Sequence, residues 1–234
     1  MPVRFDSELG KLKQKLMHMG AIAEQMIQNI NSVLIDRTED LLDKIYENEK
    51  ALDRMQGELD EETIRLIGVY TPVAGDLRLL LMVTRINAEI ERIGDKVVDT
   101  GHFVENFLKE KVPRDIIDFT HVARVTEEML HNALNAFINR SVHEAIAVIN
   151  ADDEVDRITD NTFRVLFTHM LSCPQDIGYI LGLMLAAQAM ERIADHAVNI
   201  AEDVVYMVEG EDIRHIETEN IDNLDKESGT ENAE

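Results

Sequence analysis

The 234-residue chain carries 46 Asp and Glu against 23 Lys and Arg, a formal net charge of −23 at pH 7, which argues strongly against counterion-release binding to nucleic acid. It is 45% hydrophobic but only 5% aromatic, without Trp and with four Pro and eleven Gly, so a core of Leu, Ile, Val, Ala and Met on long helices is expected rather than a turn-rich β fold. A single cysteine, Cys173, excludes an intrachain disulfide and a Cys-rich zinc site, and with no apolar leader the chain reads as a soluble protein of a reducing, cytoplasmic compartment.

Helical periodicity starts almost at once. Leu9, Leu12, Leu16, Met19, Ala23, Met26, Ile30 and Val33 step by three and four along one face. A break is expected near Asp36, and Thr38, Glu39 and Asp40 read as the start of a second helix with acids in its first turn, running to about Val69. "TPVAGD" interrupts it, because Pro72 and Gly75 do not both sit comfortably inside a helix. A third helix follows from Gly75 to about Phe107, carrying Leu79, Met82, Val83, Ile86, Ile90, Ile93 and Val97.

Pro113 opens a second set. A fourth helix is expected over about Arg114 to Asn139, and Ser141 with Glu144 makes a capping-box pattern for a fifth, about Val142 to Leu171. After "SCPQD" a sixth runs from about Asp176 to Val208. Its apolar run "IGYILGLMLAAQAM" reaches about fourteen residues before Glu191, short of the roughly 20 that span a bilayer. From Glu209 the chain carries ten acids against Arg214 and Lys226, and the tail from Gly210 reads as disordered. The expected fold is therefore all-α: two tandem antiparallel three-helix bundles over 1–109 and 114–209, a short linker near Lys109 to Pro113, and an acidic tail over 210–234.

The two halves repeat one another. "ERIGDKVVD" from Glu91 and "ERIADHAVN" from Glu191 share five of nine residues, Pro72 matches Pro174 with Asp76 and Asp176 following, and Glu49 with Asp53 matches Asp152 with Asp156. Small loop deletions account for the drifting offset, so the pattern reads as an internal duplication.

Each half also carries two acid pairs spaced i, i+4: Glu49 and Asp53, Glu91 and Asp95, then Asp152 and Asp156, Glu191 and Asp195. That spacing puts both carboxylates on one helix face, where like charges cost roughly 0.2–0.5 kcal/mol unless a cation offsets them. Their heights match. Asp53 lies 19 residues before Pro72 and Glu91 19 after; Asp156 lies 18 before Pro174 and Glu191 17 after. At about 1.5 Å per residue, antiparallel helices joined at those prolines bring four carboxylates to one level in each half. Periodicity does not fix how the helices are rotated. Four such carboxylates make a hard, oxygen-rich cation site, suited to Fe, Mn, Mg or Ca. Asp99 extends the Glu91–Asp95 stripe by one more step. His102 and His196 are the nearest imidazoles, and both read as surface histidines. Arg78, Arg85 and Arg92 recur every seven residues and read as intrahelix partners for acids such as Glu89, with a docking stripe as the alternative.

No phosphate-cradling Gly loop, nucleophile elbow or H-E-x-x-H occurs. A helical-bundle di-metal carboxylate enzyme, oxidase or hydrolase, is the competing reading. A ferritin-like oxidase needs two Glu-x-x-His motifs, and this chain has one, Glu128 to His131.

"TPVAGDLRLL" from Thr71, "INAEIERIGDKVVD" from Ile86 and "LAAQAMERIADHAVNIAEDVVYMVEG" from Leu185 resemble the PhoU family of phosphate-transport regulators, and the similarity spans nearly all of residues 5–210. The resemblance implies two three-helix bundles with multinuclear iron or zinc clusters (Mn or Mg being further options) at E/D-x-x-x-D motifs. Those motifs fall here on Glu49, Asp53, Glu91, Asp95, Asp152, Asp156, Glu191 and Asp195. It also implies a non-enzymatic cytoplasmic adaptor, often a homodimer, between the ATPase subunit of a phosphate ABC transporter and a sensor histidine kinase, restraining uptake and the starvation response without entering the membrane. Asn199 stands where the first half has Asp99, so the second cluster is expected to be the smaller or the weaker of the two.

Overall fold

The structure, a computed structural model, describes residues 2–108, 117–210 and 212–214. Among these are six α-helices: α1 (Pro2–Asp36), α2 (Leu41–Tyr70), α3 (Gly75–Leu108), α4 (Thr120–Asn139), α5 (Val142–Ser172) and α6 (Ile177–Glu209), with a 3-10 turn, Pro174–Asp176, leading into α6. The apolar stripes become the core. From Leu9 to Val33 the α1 stripe is buried throughout, as are Leu79, Met82, Val83, Ile86, Ile90, Ile93 and Val97 of α3. Each fully buried Leu, Ile or Met contributes roughly 1.5–3 kcal/mol relative to exposure.

Helices α1, α2 and α3 pack on one another, and so do α4, α5 and α6, giving the two tandem bundles expected from the repeat. The halves meet along α3 against α6 and, less extensively, α1 against α4, so one hydrophobic core runs through both. Small residues let α6 occupy the centre. Gly182, Ala186, Ala187, Ala189, Ala194, Ala197 and Ala201 are all buried along it, and α3, α4 and α5 all pack against it. Polar contacts fix the α1–α4 side: Asn31 Nδ2 donates to the Ala123 carbonyl at 3.3 Å and Gln28 Nε2 to Glu127 Oε1 at 2.7 Å.

Helix ends follow local chemistry. Thr71 closes α2 in the left-handed region (φ 45°), its N–H donating to the Ile67 carbonyl, and Pro72 prevents continuation. Gly210 closes α6 at φ 82°, where a side chain would be strained and would also strike the Arg78 guanidinium. Ser141 caps α5, its Oγ accepting from the Glu144 N–H at 3.2 Å. The capping box is half formed, because the Glu144 carboxylate accepts instead from Asn139 Nδ2 at 3.0 and 3.1 Å.

Three expectations change. Ile117 to Phe119 are not helical, so α4 begins at Thr120, where Asp118 Oδ1 accepts the Thr120 N–H at 2.8 Å; the linker near Lys109 to Pro113 and the expected start at Arg114 lie outside the described residues. Beyond Gly210, Ile213 is 2% exposed and packs into the core, while Arg214 bonds Asp212. An apolar residue flanked by a local ion pair thus extends order past the helix; positions 211 and 215–234 of the expected disordered tail lie outside the described residues. Finally, α6 with its entry turn, Pro174–Glu209, is long and apolar enough to cross a membrane, with an 18-residue window of mean hydropathy 1.2. The shorter sequence estimate stopped at Glu191. The same apolarity suits the central helix of a bundle, which is where α6 lies.

Candidate metal centre

The α2–α3 hairpin sets the geometry of the first acidic group. Leu52, one residue before Asp53, is buried, and its Cδ1 would lie 2.6 Å from a Cβ on Gly94, one residue before Asp95. This close approach of α2 to α3 rotates the acid-bearing faces of both helices to the same side. In the second half Val155 precedes Asp156, Ala194 precedes Asp195, and both are fully buried. In the first half, the rotation that periodicity left open is thus fixed by Leu52 against Gly94.

The carboxyls in each group feel one another. Burial and then the charges of Asp53 and Asp95 push Glu49 up; burial and then Asp95, Asp53 and Glu49 push Glu91 up. Asp95 is raised by burial, Asp53 and Asp99. In the second group burial, then Asp156, Asp195, Asp153 and Glu191, push Asp152 up to about 6. Glu191 is raised by burial, Asp156 and Asp195, and Asp195 by burial and Asp156 against Arg192 and His196. Asp152 Oδ1 is buried and without a hydrogen-bond partner.

Among the described residues, three potential ligand atoms come within 4.8 Å of one another at His169, Cys173 and Asp176, and not within either carboxylate group. Asp99 lies at the margin of the first group: its Oδ2 accepts from Lys96 Nζ at 2.7 Å.

The α3–α6 seam accounts for the remaining polar residues. Glu89, 8% exposed, accepts from His196 Nδ1 at 2.7 Å and Asn199 Nδ2 at 3.0 Å on α6, and from Arg92 Nη1 at 2.6 Å on its own helix. Arg85 donates to the buried Asp203 of α6 at 3.1 Å, and the Arg78 and Arg85 guanidiniums both lie over the Tyr206 ring. Of the two readings of these arginines, Arg92 fits the intrahelix partnership with Glu89, whereas Arg78 and Arg85 serve the opposite half. His196 is half-buried and ties the halves together, unlike a surface histidine; sequence reasoning missed this because its partner lies on another helix. His102 is exposed and stacks on Tyr46 with ring centroids 5.0 Å apart.

Ala189 occupies on α6 the repeat position that Glu89 holds on α3. On that side of the seam a cavity of about 550 Å³ opens, lined by Ala189, Arg92, Asp95, Lys96, Asp99 and Arg192 among others. The lone Glu-x-x-His pair is divided between two surface ion pairs: Glu128 pairs with Arg124 at 2.8 Å and His131 with Glu24 at 3.0 Å.

Comparison with known proteins accords with the duplicated helical architecture. The PhoU domain pattern matches this chain twice, over residues 16–104 and 119–204. The chain belongs to the PhoU family. It is 32% identical over 214 residues, 91% of this chain and 88% of the relative, to a phosphate-specific transport system accessory protein PhoU homolog of Pseudomonas aeruginosa. It is 31% identical over 224 residues, 94% of this chain and 92% of the relative, to the phosphate-specific transport system accessory protein PhoU of Escherichia coli. The crystal structure of PhoU from Pseudomonas aeruginosa superimposes with a TM-score of 0.85 at 31% identity, covering 88% of this chain and all of that one. The two matched segments of the PhoU family pattern each contain one complete acidic group, Glu49 to Asp95 and Asp152 to Asp195.

Proposed function

We propose that this protein is a metal-binding regulatory accessory protein of phosphate uptake, acting as an adaptor rather than as an enzyme. The observation that carries the metal reading is the pair of equivalent four-carboxylate groups, Glu49, Asp53, Glu91 and Asp95 with Asp99 beside them, and Asp152, Asp156, Glu191 and Asp195. Each group draws two acids from each helix of a hairpin, and most of these acids have their ionised forms penalised by burial and by one another.

The donor set suits such a cation. All its atoms are oxygens, which favours iron, manganese or magnesium and accommodates zinc. The unpartnered, buried Asp152 Oδ1 supports the same reading, because an unsatisfied buried acceptor costs about 1–3 kcal/mol. A bound multivalent metal, with Fe or Zn as first choice, supplies the positive charge that the carboxylates lack. Glu49 and Asp53 would hold it from α2 and Glu91 and Asp95 from α3; Asp152, Asp156, Glu191 and Asp195 do the same from α5 and α6.

The regulatory reading rests on the relatives, which are accessory proteins of a phosphate-specific transport system. Partners fitting that role are the transporter's cytoplasmic ATPase subunit, a sensor histidine kinase and a second copy of the chain. Docking surfaces for an adaptor are available near both hairpin turns: Ile64, Val69 and Val73 at one, Phe167, Leu171 and Ile177 at the other, all exposed. The test is a deletion strain grown in high phosphate. Uptake and starvation genes should stay switched on, whereas normal repression without the protein would contradict the proposal.

A further inference from the structure

The turn between α5 and α6 holds a donor set of a different kind. His169, in the last turn of α5, Cys173 at its end and Asp176 in the 3-10 turn each offer one ligand atom, and the three atoms lie within 4.8 Å of one another. His169 Nε2 is 3.4 Å from Asp176 Oδ2. We propose that these three residues form a mononuclear divalent-metal site of zinc type, separate from the carboxylate groups and independent of their reading.

The backbone holds the ligands in place beforehand. The Cys173 N–H donates to the His169 carbonyl at 2.8 Å, and the Asp176 N–H donates to the Cys173 carbonyl at 3.0 Å, so two successive tight bonds fix the spacing of all three residues. The i, i+4, i+7 pattern would return to one face of a helix, and the turn keeps that face together. All three residues are half-buried, open enough for entry and sheltered enough to limit competing water.

The chemistry selects the ion. Thiolate, imidazole and carboxylate together are the borderline donor mix that Zn2+ takes with four-coordinate geometry, in contrast to the all-oxygen groups. Three protein ligands leave the fourth position to water. On binding, the Cys173 thiol forms a sulfur–metal bond and releases its proton to solvent. The carboxyl end of α5 adds the negative pole of its backbone dipoles, which favours a cation there. The set is also specific to this turn: at the matching turn of the first half, Ile67 and Thr71 stand where His169 and Cys173 do. Duplication of the carboxylate pattern therefore does not account for it.

Because Cys173 is the one cysteine in the chain, its alkylation rate in the full-length protein reads the site directly. With Zn2+ at about ten times its dissociation constant, the free-thiol fraction and hence the rate should fall about tenfold, and a chelator should restore it. Protection should vanish in His169→Ala and Asp176→Ala, yet persist in Glu91→Ala/Asp95→Ala, which separates this site from the carboxylate groups. Co2+ loading should give a thiolate-to-metal charge-transfer absorption that Cys173→Ser abolishes. An alkylation rate unchanged by Zn2+, or protection that survives in the His169→Ala/Asp176→Ala double variant, would overturn the proposal.

Discussion

His196 Nδ1 lies 2.7 Å from Glu89 Oε2, joining α6 of the second half to α3 of the first. Burial works to raise the Glu89 carboxyl, but hydrogen bonds from His196 and Asn199 outweigh it and hold the group below its ordinary value. An ionised carboxylate only accepts, so the His196 Nδ1 must carry the proton. Asn199 has its own reason in this arrangement: its amide donates to the same oxygen at 3.0 Å, which an aspartate there could not do while ionised. The Asp99-to-Asn199 difference between the halves thus belongs to the seam at least as much as to the acidic groups.

Removing the shared acceptor should therefore loosen the two halves. Glu89→Ala strands two inter-helix donors and should lower the unfolding free energy by about 2 kcal/mol in a urea titration. A double-mutant cycle with His196→Ala should give a coupling of about 1 kcal/mol. Strictly additive single effects would mean that the bond does not tie the halves.

The acidic groups impose a pH dependence on the metal-free protein. Asp152 holds its proton more tightly folded than unfolded, so between its ordinary 3.8 and about 6 the folded state carries more protons. Stability is then greatest below that window and falls as pH rises through it. Glu49, Glu91, Asp95, Glu191 and Asp195 are raised too and add to the same slope. Thermal midpoints measured in chelator-treated buffer should decline across that interval, and Asp152→Asn should flatten the decline. An unchanged slope in that variant would remove Asp152 as its source.

Gly94 is where helix packing controls the first acidic group. A methyl there would meet Leu52 Cδ1 at 2.6 Å, forcing α2 and α3 apart beside Asp53 and Asp95. Gly94→Ala should lose about 1–3 kcal/mol of stability and weaken metal uptake by the first group while sparing the second. Full stability with normal uptake would show that Leu52 simply turns aside.

A smaller effect is expected at the start of α5. Ser141→Ala removes the oxygen that accepts the Glu144 N–H and should cost about 1 kcal/mol by thermal unfolding. Since Asn139 already holds the Glu144 carboxylate, Glu144→Ala should cost less than a complete capping box would lead one to expect.

Much of this was legible in the sequence because it is local. The α1 stripe needs only one buried face, and the helix breaks before Pro72 and Pro174 need only the local chemistry of proline. What was not legible depends on partners elsewhere in the chain. The facing of α2 and α3 is set by Leu52 against Gly94, a contact between residues far apart in sequence. His196 lies about 100° around the helix from Asp195, and its role appears only once α3 is known to lie on that side. The start of α4 was misplaced because Pro113 marks an interruption without marking where the helix resumes. "HMLSCPQD" carries the His169, Cys173 and Asp176 spacing openly, but it spans a helix end, where spacing alone gives no direction.

The central claim is that the two carboxylate groups hold metal. The direct measurement is the Fe, Zn and Mn content of untagged protein in a Cys173→Ser background, which removes the α5–α6 turn as a contributor. Glu91→Ala/Asp95→Ala and Glu191→Ala/Asp195→Ala should each lose the metal of one half, and the four substitutions together should lose both. Equal, near-zero content in the Cys173→Ser parent and in all of these variants would contradict it.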